Sequence, residues 1–468
     1  MALIKSISGI RGTIGGKPGD GLSPLDAVKF TAAFASWVKQ RHTGVRPKLV
    51  LGRDARISGD MFTRIITGTL QGMGIDVLDL GLSTTPTVEM AVVMENAQAG
   101  IILTASHNPK QWNALKLLNE KGEFISGADG EMVLDIADRE DFVFVDVNQL
   151  GKVTTDNSYI QKHIDTILAL PLVNVEAIRK ANFSIVVDAV NSTGGIAIPM
   201  LLRALGVENV TELYCTPDGN FPHNPEPLPE HLHDLSAEVI KKNANLGISI
   251  DPDVDRLALV CEDGEMFGEE YTLVAVADYI LKHTPGSTVS NLSSTKALRD
   301  ITEKSGNTYF ASAVGEVNVV DMMKANNAVI GGEGNGGIIY PELHYGRDAL
   351  VGIALFLSHL AAYGKTISML RATYPSYFIS KNKVELTPEL NVDEILVRMT
   401  KKYERQPINT IDGVKIEFEN SWVHLRKSNT EPIIRIYAEA ENMSTADSLA
   451  SKIISDIKEL SSEMMAKY

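Results

Sequence analysis

Short apolar runs rich in β-branched residues alternate along this chain with stretches in which apolar positions recur at helical spacing. Such runs fall at 48–52, 101–103, 184–187, 246–250 and 328–330. The alternation argues for α/β layering with largely parallel sheets. Each run ends in a cluster of glycine, serine or aspartate, so these polar residues stand just past the carboxyl end of a strand, where open α/β sheets bind ligands. Towards the end the pattern changes to a short strand-rich module closed by one long helix. Ala446, Leu449, Ala450, Ile453, Ile454, Ile457 and Leu460 share a face of that helix, with Ser444 and Asp447 placed as a variant capping box.

A chain of 468 residues is too long for one ordinary core and predicts three or four domains. Polar and proline-containing stretches place them at 1–151, 152–256, 257–373 and 374–468. The first closes after the polar stretch 146–150, the second at an acidic loop ending in Arg256, and the third at Tyr374-Pro375. No segment reaches the length of a membrane span, and the start of the chain lacks the pattern of a signal peptide.

Two polar clusters carry chemistry. Thr104-Ala105-Ser106-His107-Asn108-Pro109 puts one serine on a tight turn after the apolar run 99–103, where it can accept and return a phosphoryl group. Asp251-Pro252-Asp253-Val254-Asp255-Arg256 alternates three carboxylates over five residues, a cage for one hard divalent cation such as magnesium, with a phosphoserine oxygen as a further ligand. Either motif alone also describes an ordinary loop. The acidic stretch lacks the glycine and the distal glutamate of a calcium-binding hand.

Two further segments complete the set. Gly331-Gly332-Glu333-Gly334-Asn335-Gly336-Gly337 offers a flexible backbone and one carboxylate for hydroxyl groups. It also fits dinucleotide spacing, but an extended piece, Ile338-Ile339-Tyr340-Pro341, follows it in place of a helix. Arg426-Lys427-Ser428-Asn429-Thr430-Glu431-Pro432, with Arg435 just beyond, offers two guanidinium forks and two hydroxyls for a phosphate.

With these four motifs in order along essentially its whole length, the chain resembles the α-D-phosphohexomutase family, whose members move phosphate between the 1 and 6 positions of a hexose. Ser8-Gly9-Ile10-Arg11-Gly12, Gly52-Arg53-Asp54-Ala55-Arg56 and Pro217-Asp218-Gly219-Asn220-Phe221-Pro222 are further matches. The resemblance implies three similar mixed-sheet α/β domains around a central cleft plus a smaller α+β C-terminal domain. It implies Ser106 as the phosphoserine, one Mg2+ per chain on Ser106, Asp251, Asp253 and Asp255, and Glu333 and Asn335 at the sugar. Arg256, Arg426, Ser428, Asn429, Thr430 and Arg435 are implied for phosphate. Lys116 and Arg11 are implied beside the transferring group as acid and base, a partly desolvated lysine losing its proton readily, with His107 as rival or as orienter of the turn. Gly337 stands where many members carry histidine, and His344 is a candidate replacement. The expected ligands are a hexose monophosphate and a hexose 1,6-bisphosphate, on a monomer or homodimer.

The formal net charge of −15 excludes nucleic acid as a partner, since phosphate backbones require basic surfaces, and no membrane partner is expected. Positive charge must then be local, and Arg11, Lys116, Arg256 and the Arg426 loop supply it. Only Cys215 and Cys261 are present, too few for a disulfide framework and typical of a reducing compartment; a cytoplasmic protein is expected.

The sugar is less defined. Asn335 with Gly336-Gly337 resembles archaeal-type phosphoglucosamine mutases. Glu316 stands after a glycine where that subgroup tends to carry an acid, and it can attract the 2-ammonium of an amino sugar or pair with a surface cation. Glucosamine 6-phosphate to glucosamine 1-phosphate is the expected conversion, with phosphomannomutase or phosphoglucomutase activity as the alternative. A phosphoserine hydrolase would need histidine-rich ligands for several metals, and a dead sensor would have lost the serine or an aspartate. The C-terminal module is expected to close as a lid on Tyr374-Pro375.

Overall fold

The computed structural model describes residues 2–6, 9–385, 391–427 and 433–465, the last residue by its backbone. Two compact units emerge: Met1–His283 with Asn335–Arg371, and Thr284–Gly334 with Ala372–Tyr468.

In the first unit, a seven-stranded mixed sheet runs in the order Leu3–Ser6, Gly9–Thr13, Trp112–Leu118, Ala99–Leu103, Lys48–Arg53, Asp76–Leu82, Val153–Thr155. The last four are parallel and the first three antiparallel. Its central strands read as apolar runs because helices cover them; the helix Pro24–Arg41, opened by a Ser23/Asp26 capping box, buries Phe30, Phe34 and Trp37 in that core. A second sheet pairs Leu246–Ile250 with Ser184–Asp188 in parallel and with Leu257–Cys261 antiparallel, so this sheet runs on past Arg256. The strongly apolar helix Ala349–Tyr363 returns to this unit and is buried along most of its length.

In the second unit, Thr288–Asn291, Tyr309–Ser312 and Ile330–Glu333 are parallel strands. An antiparallel five-stranded sheet follows, in the order Phe378–Glu385, Ile433–Ala440, Trp422–Lys427, Val414–Glu417, Ile408–Asn409, and the helices Val392–Lys402 and Met443–Met465 contribute to its core. The four-domain α/β architecture, three similar domains and a C-terminal one, is therefore present. No helix among the described residues is long and apolar enough to cross a membrane.

Three local expectations are corrected. Gly331 and Gly332 lie in the strand Ile330–Glu333. Gly331 is there for packing, since a Cβ on it would meet Met323 Sδ at 2.4 Å. The last helix begins at Met443 and is capped by Asn442, whose Oδ1 accepts from Thr445 N at 2.9 Å, while Asp447 accepts from Ser380 Oγ at 2.5 Å. Cys261 is buried as expected, but Cys215 is only partly so; burial pushes both free thiols up to about 12.

Candidate active site

The apolar strand Ala99–Leu103 ends at Thr104, whose Oγ1 accepts from Ser106 N at 2.9 Å and donates to Asp54 Oδ2 at 2.7 Å. Ser106 is buried and holds a left-handed backbone, φ 49°, which tightens the turn at an energetic cost. Arg56 sits beneath it with no exposed side chain. Its guanidinium donates to the carbonyls of Ser106 (2.5 Å), Asn108 (2.6 Å), Pro109 (2.7 Å) and Trp112 (3.0 Å), and its Nε donates to Asp54 Oδ2 (3.0 Å). All five guanidinium N–H groups are thus spent on shaping the serine turn. Arg11 reaches the same turn through Asn108 Oδ1, at 2.9 Å.

Opposite the serine lies the aspartate loop that joins Leu246–Ile250 to Leu257–Cys261. Val254 takes φ 64°, an outlier for a β-branched residue, and Ser192 and Thr193 hold Pro252 O at 2.7 and 2.8 Å. Asp251, Asp253 and Asp255 are fully buried, and one oxygen of each lies within 4.8 Å of the other two. Ser106 Oγ donates to Asp251 Oδ2 at 2.7 Å, which brings the two sequence motifs together. Lys116 Nζ donates to Asp253 Oδ2 at 2.7 Å and to Asp255 Oδ2 at 3.4 Å, and Arg347 Nη2 donates to Asp255 Oδ2 at 2.7 Å. Burial and the two neighbouring carboxylates raise the Asp251 carboxyl well above its ordinary range. Asp255 moves down, because Arg347, Lys116 and Arg256 outweigh its burial.

The second carboxylate oxygens of Asp253 and Asp255, Oδ1 in each case, are buried without a hydrogen-bond partner among the described residues. An orphaned buried carboxylate oxygen is costly, and a cluster of hard oxygen donors with two such orphans fits a hard cation. The residues therefore suit a divalent metal.

The acid–base candidates need one correction. Burial lowers the Lys116 ammonium, but Asp253 and Asp255 outweigh it and raise its pKa, so this lysine holds its proton. Burial, Arg256 and Arg11 push His107 down to about 2; its Nδ1 lies 3.4 Å from Ser106 Oγ, a neutral ring against the turn. Arg256 pairs with Glu226 at 3.3 Å. His344 is tied between Asp348 Oδ2 (3.2 Å) and Glu89 Oε2 (3.3 Å), which raise it to about 10 against burial, so it is not placed as a free replacement for the histidine absent at 337. Asn335 Oδ1 accepts from Gly337 N at 3.2 Å and shapes its own turn.

In the second unit Glu333 is buried, and its Oε1 accepts from Asn291 Nδ2 (2.8 Å) and Gly315 N (3.2 Å), which aim the carboxylate. Glu316 opens the helix Glu316–Ala325 and is half-buried. Arg426 and Arg435 stand directly opposite each other on neighbouring antiparallel strands, and Lys383 opposes Arg435 on its other side. Like charges opposed across a sheet repel, so such a row favours an anion. Asp412 lies 3.7 Å from Arg426. Ser428, Asn429 and Thr430 lie outside the described residues.

Sequence reasoning missed Arg56, Arg347, Thr85, Asp54 and Asn291 as parts of the site. Only Asp54 and Arg56 had left a signal, in the Gly52–Arg56 motif, without an indication of their role.

Comparison with known proteins agrees with this architecture. Residues 3–144, 161–264 and 268–377 match phosphoglucomutase/phosphomannomutase alpha/beta/alpha domains I, II and III, and residues 383–455 match the C-terminal domain of the same family. A phosphoglucomutase/phosphomannomutase of Thermococcus kodakarensis is 34% identical over 92% of this chain and 94% of its own. A phosphoglucosamine/phosphogalactosamine mutase of Sulfurisphaera tokodaii is 30% identical over 97% of this chain and 98% of its own. The crystal structure of a phosphoglucomutase/phosphomannomutase family protein from Burkholderia thailandensis superposes with a TM-score of 0.83 at 25% identity, covering 98% and 97% of the two chains. Fold and relatives define a phosphosugar isomerase. The chain belongs to the phosphoglucomutase/phosphomannomutase family.

Proposed function

We propose that this chain moves phosphate between the 6 and 1 positions of a hexose through phospho-Ser106 and a 1,6-bisphosphate. The observation that supports this most directly is the hydrogen bond of Ser106 Oγ to Asp251, beside two orphaned carboxylate oxygens. Asp251, Asp253 and Asp255, with an oxygen on Ser106, would hold Mg2+. The chemistry a bound divalent ion supplies in such a site is neutralisation of charge on phosphoryl oxygens.

The residues do the rest. Arg56 and Thr104 hold the serine's backbone in place, so transfer needs little reorganisation. The hexose hydroxyl attacks phosphorus and passes its proton to a phosphoryl oxygen, and the P–O bond to Ser106 breaks. The Lys116 ammonium is assigned to supply the proton for the departing serine oxygen and to be reprotonated by the one the hydroxyl released. Arg11 and Arg256 offset charge on the phosphoryl group, and neutral His107 orients the turn. The bisphosphate then turns over and returns its other phosphate to Ser106. Arg426 and Arg435, with Ser428, Asn429 and Thr430, would grip the phosphate that is not reacting, while Glu333 and Asn335 would read sugar hydroxyls. In domain terms the serine belongs to 1–151, the metal loop to 152–256, the sugar carboxylates to 257–373 and the distal phosphate site to 374–468.

Glucosamine phosphate is the preferred substrate, supported by Glu316 at the start of its helix and by the Sulfurisphaera relative. The Thermococcus relative supports glucose or mannose phosphate as the second choice. Ser106→Ala is expected to lower mutase activity by about three orders of magnitude or more and to abolish the phosphoenzyme in intact-mass spectra. Full activity in that variant would end the proposal. Glu316→Gln should cost about 10-fold or more in kcat/KM on glucosamine phosphate and little on glucose phosphate, as loss of one charge-assisted hydrogen bond predicts. Equal losses would favour the glucose or mannose alternative.

A further inference from the structure

The aspartate loop is gripped from two sides by segments far apart in sequence. Thr85, the first residue of the helix Thr85–Met94, donates its backbone N–H to Asp253 O at 2.9 Å and its hydroxyl to Asp253 Oδ2 at 2.5 Å. From the other side Arg347 holds Asp255 at 2.7 Å, and Ala349 N donates to Val254 O at 3.2 Å. Both grips fall on one loop, so fixing the two segments against each other fixes the loop between them.

Behind them lies a buried polar group that does so. His163, on the helix Tyr159–Leu168, meets Thr87 Oγ1 through Nδ1 at 3.0 Å and Asp348 Oδ2 through Nε2 at 2.9 Å. His344 joins the same Asp348 oxygen to Glu89 on the helix of Thr85. Asp348 Oδ1 meanwhile caps the helix Ala349–Tyr363, accepting from Leu350 N (2.8 Å) and Val351 N (3.3 Å). The turn that carries Arg347 lies directly on Glu89: a Cβ on Gly346 would stand 1.9 Å from Glu89 Oε2. Thr87 and Glu89 follow Thr85 within four residues, and His344 and Asp348 flank Arg347 as closely.

An apolar core would have filled this space at less desolvation cost, but without direction; hydrogen-bonded charges fix register. We infer that His163, His344, Asp348 and Glu89 form a positioning bolt that holds Thr85 and Arg347 against the aspartate loop and so sets the affinity of that loop for its divalent cation. None of the four is a catalytic residue. The inference rests on the proposed metal site and extends it to residues that touch neither metal nor sugar.

The test is direct titration of the full chain with Mn2+, free ion being followed by electron paramagnetic resonance well below the melting temperature. Wild type should take up one Mn2+, and Asp253→Asn should take up none. His344→Ala should bind about 10- to 100-fold more weakly, the usual cost of losing a group that orients metal ligands. His344→Gln, which keeps a donor for Asp348, should recover part of that loss. Leu70→Ala, a cavity in the buried core of the first sheet, should lower the melting temperature and leave Mn2+ affinity alone. If His344→Ala does not fold, His344→Gln and Glu89→Gln carry the same test. Unchanged affinity in folded His344 and Glu89 variants overturns the bolt while leaving the metal site standing. A second Mn2+ in wild type that His344→Ala alone removes also overturns it, because the cluster would then be a metal site itself. No Mn2+ uptake by wild type overturns the proposed metal site, and the bolt with it.

Discussion

Arg56 does at the scale of one residue what a whole loop of glycines does in other phosphate-handling proteins: it fixes a turn in advance. Four of its bonds go to carbonyls of one short segment, so a lysine, with three donors on a flexible stem, cannot replace it. Arg56→Lys is expected to cost about 3 kcal/mol or more in urea unfolding. In mutase assays it should lower kcat by about tenfold or more with little change in KM, as misplacing a nucleophile predicts. Wild-type kcat in this variant would show that the serine turn holds itself. The contrast with Ser106 and the aspartates explains what was legible. Those residues sit in motifs a few positions long, with their chemistry visible in their spacing. Arg56, Asn291 and Arg347 act on partners 50, 42 and 92 positions away, and nothing in local spacing encodes that. For Lys116 the expected ready loss of a proton is what the fold corrects: burial alone lowers an ammonium, and only the fold shows which carboxylates stand beside it.

Among the elements, the long helices and the central strands were readable from periodicity and apolar runs because packing in layers imposes both patterns. The strand Ile330–Glu333 was not, since its glycines look like loop until Met323 is seen filling the space a side chain would need. The bolt behind the metal loop also carries a pH signature. Its histidine His344 faces Glu89 and Asp348, with the His163 ring edge-on to it at the same Asp348 oxygen, and it is raised to about 10. A raised histidine contributes stability that is fully present below its unfolded pKa of about 6.5 and is lost as pH rises through the folded value. Asp348 is lowered, with His163 and His344 outweighing its burial, so its contribution is lost only as pH falls below the ordinary carboxylate range. Unfolding free energy should therefore decline from about pH 6.5 to 10, and His344→Ala should flatten that limb in urea titrations. An unchanged alkaline slope in the variant would remove the imidazolium from the account.

At the scale of the whole molecule, each compact unit carries a prediction of its own. Mg2+ at about 100 times its dissociation constant should stabilise the first unit by about 2.7 kcal/mol, an effect that a chelator reverses and Asp255→Asn removes in scanning calorimetry. No shift with Mg2+ would count against the metal loop. In the second unit the expected lid on Tyr374-Pro375 meets resistance. Lys415 Nζ donates to Leu292 O, Ser293 Oγ bonds His424 Nδ1, and Arg299 reaches both oxygens of Glu417. A C-terminal module swinging by itself would break all of these, so 284–334 is expected to travel with it.

The discontinuity of the first unit has a consequence for how the protein is born. Asp255 leaves the ribosome 92 positions before Arg347, and the helix Ala349–Tyr363 emerges later still. At about 5 to 20 residues per second, the acidic triad waits roughly 5 to 18 seconds for that cation, while part of the second unit is being made. During that interval the nascent chain carries three clustered carboxylates with Lys116 already available and Arg347 not yet synthesised. If the Arg347 grip sets the affinity of the loop, full affinity for a divalent ion is expected only once Arg347 and its neighbours have been made, so loading of the metal should follow synthesis of the last segment of the first unit.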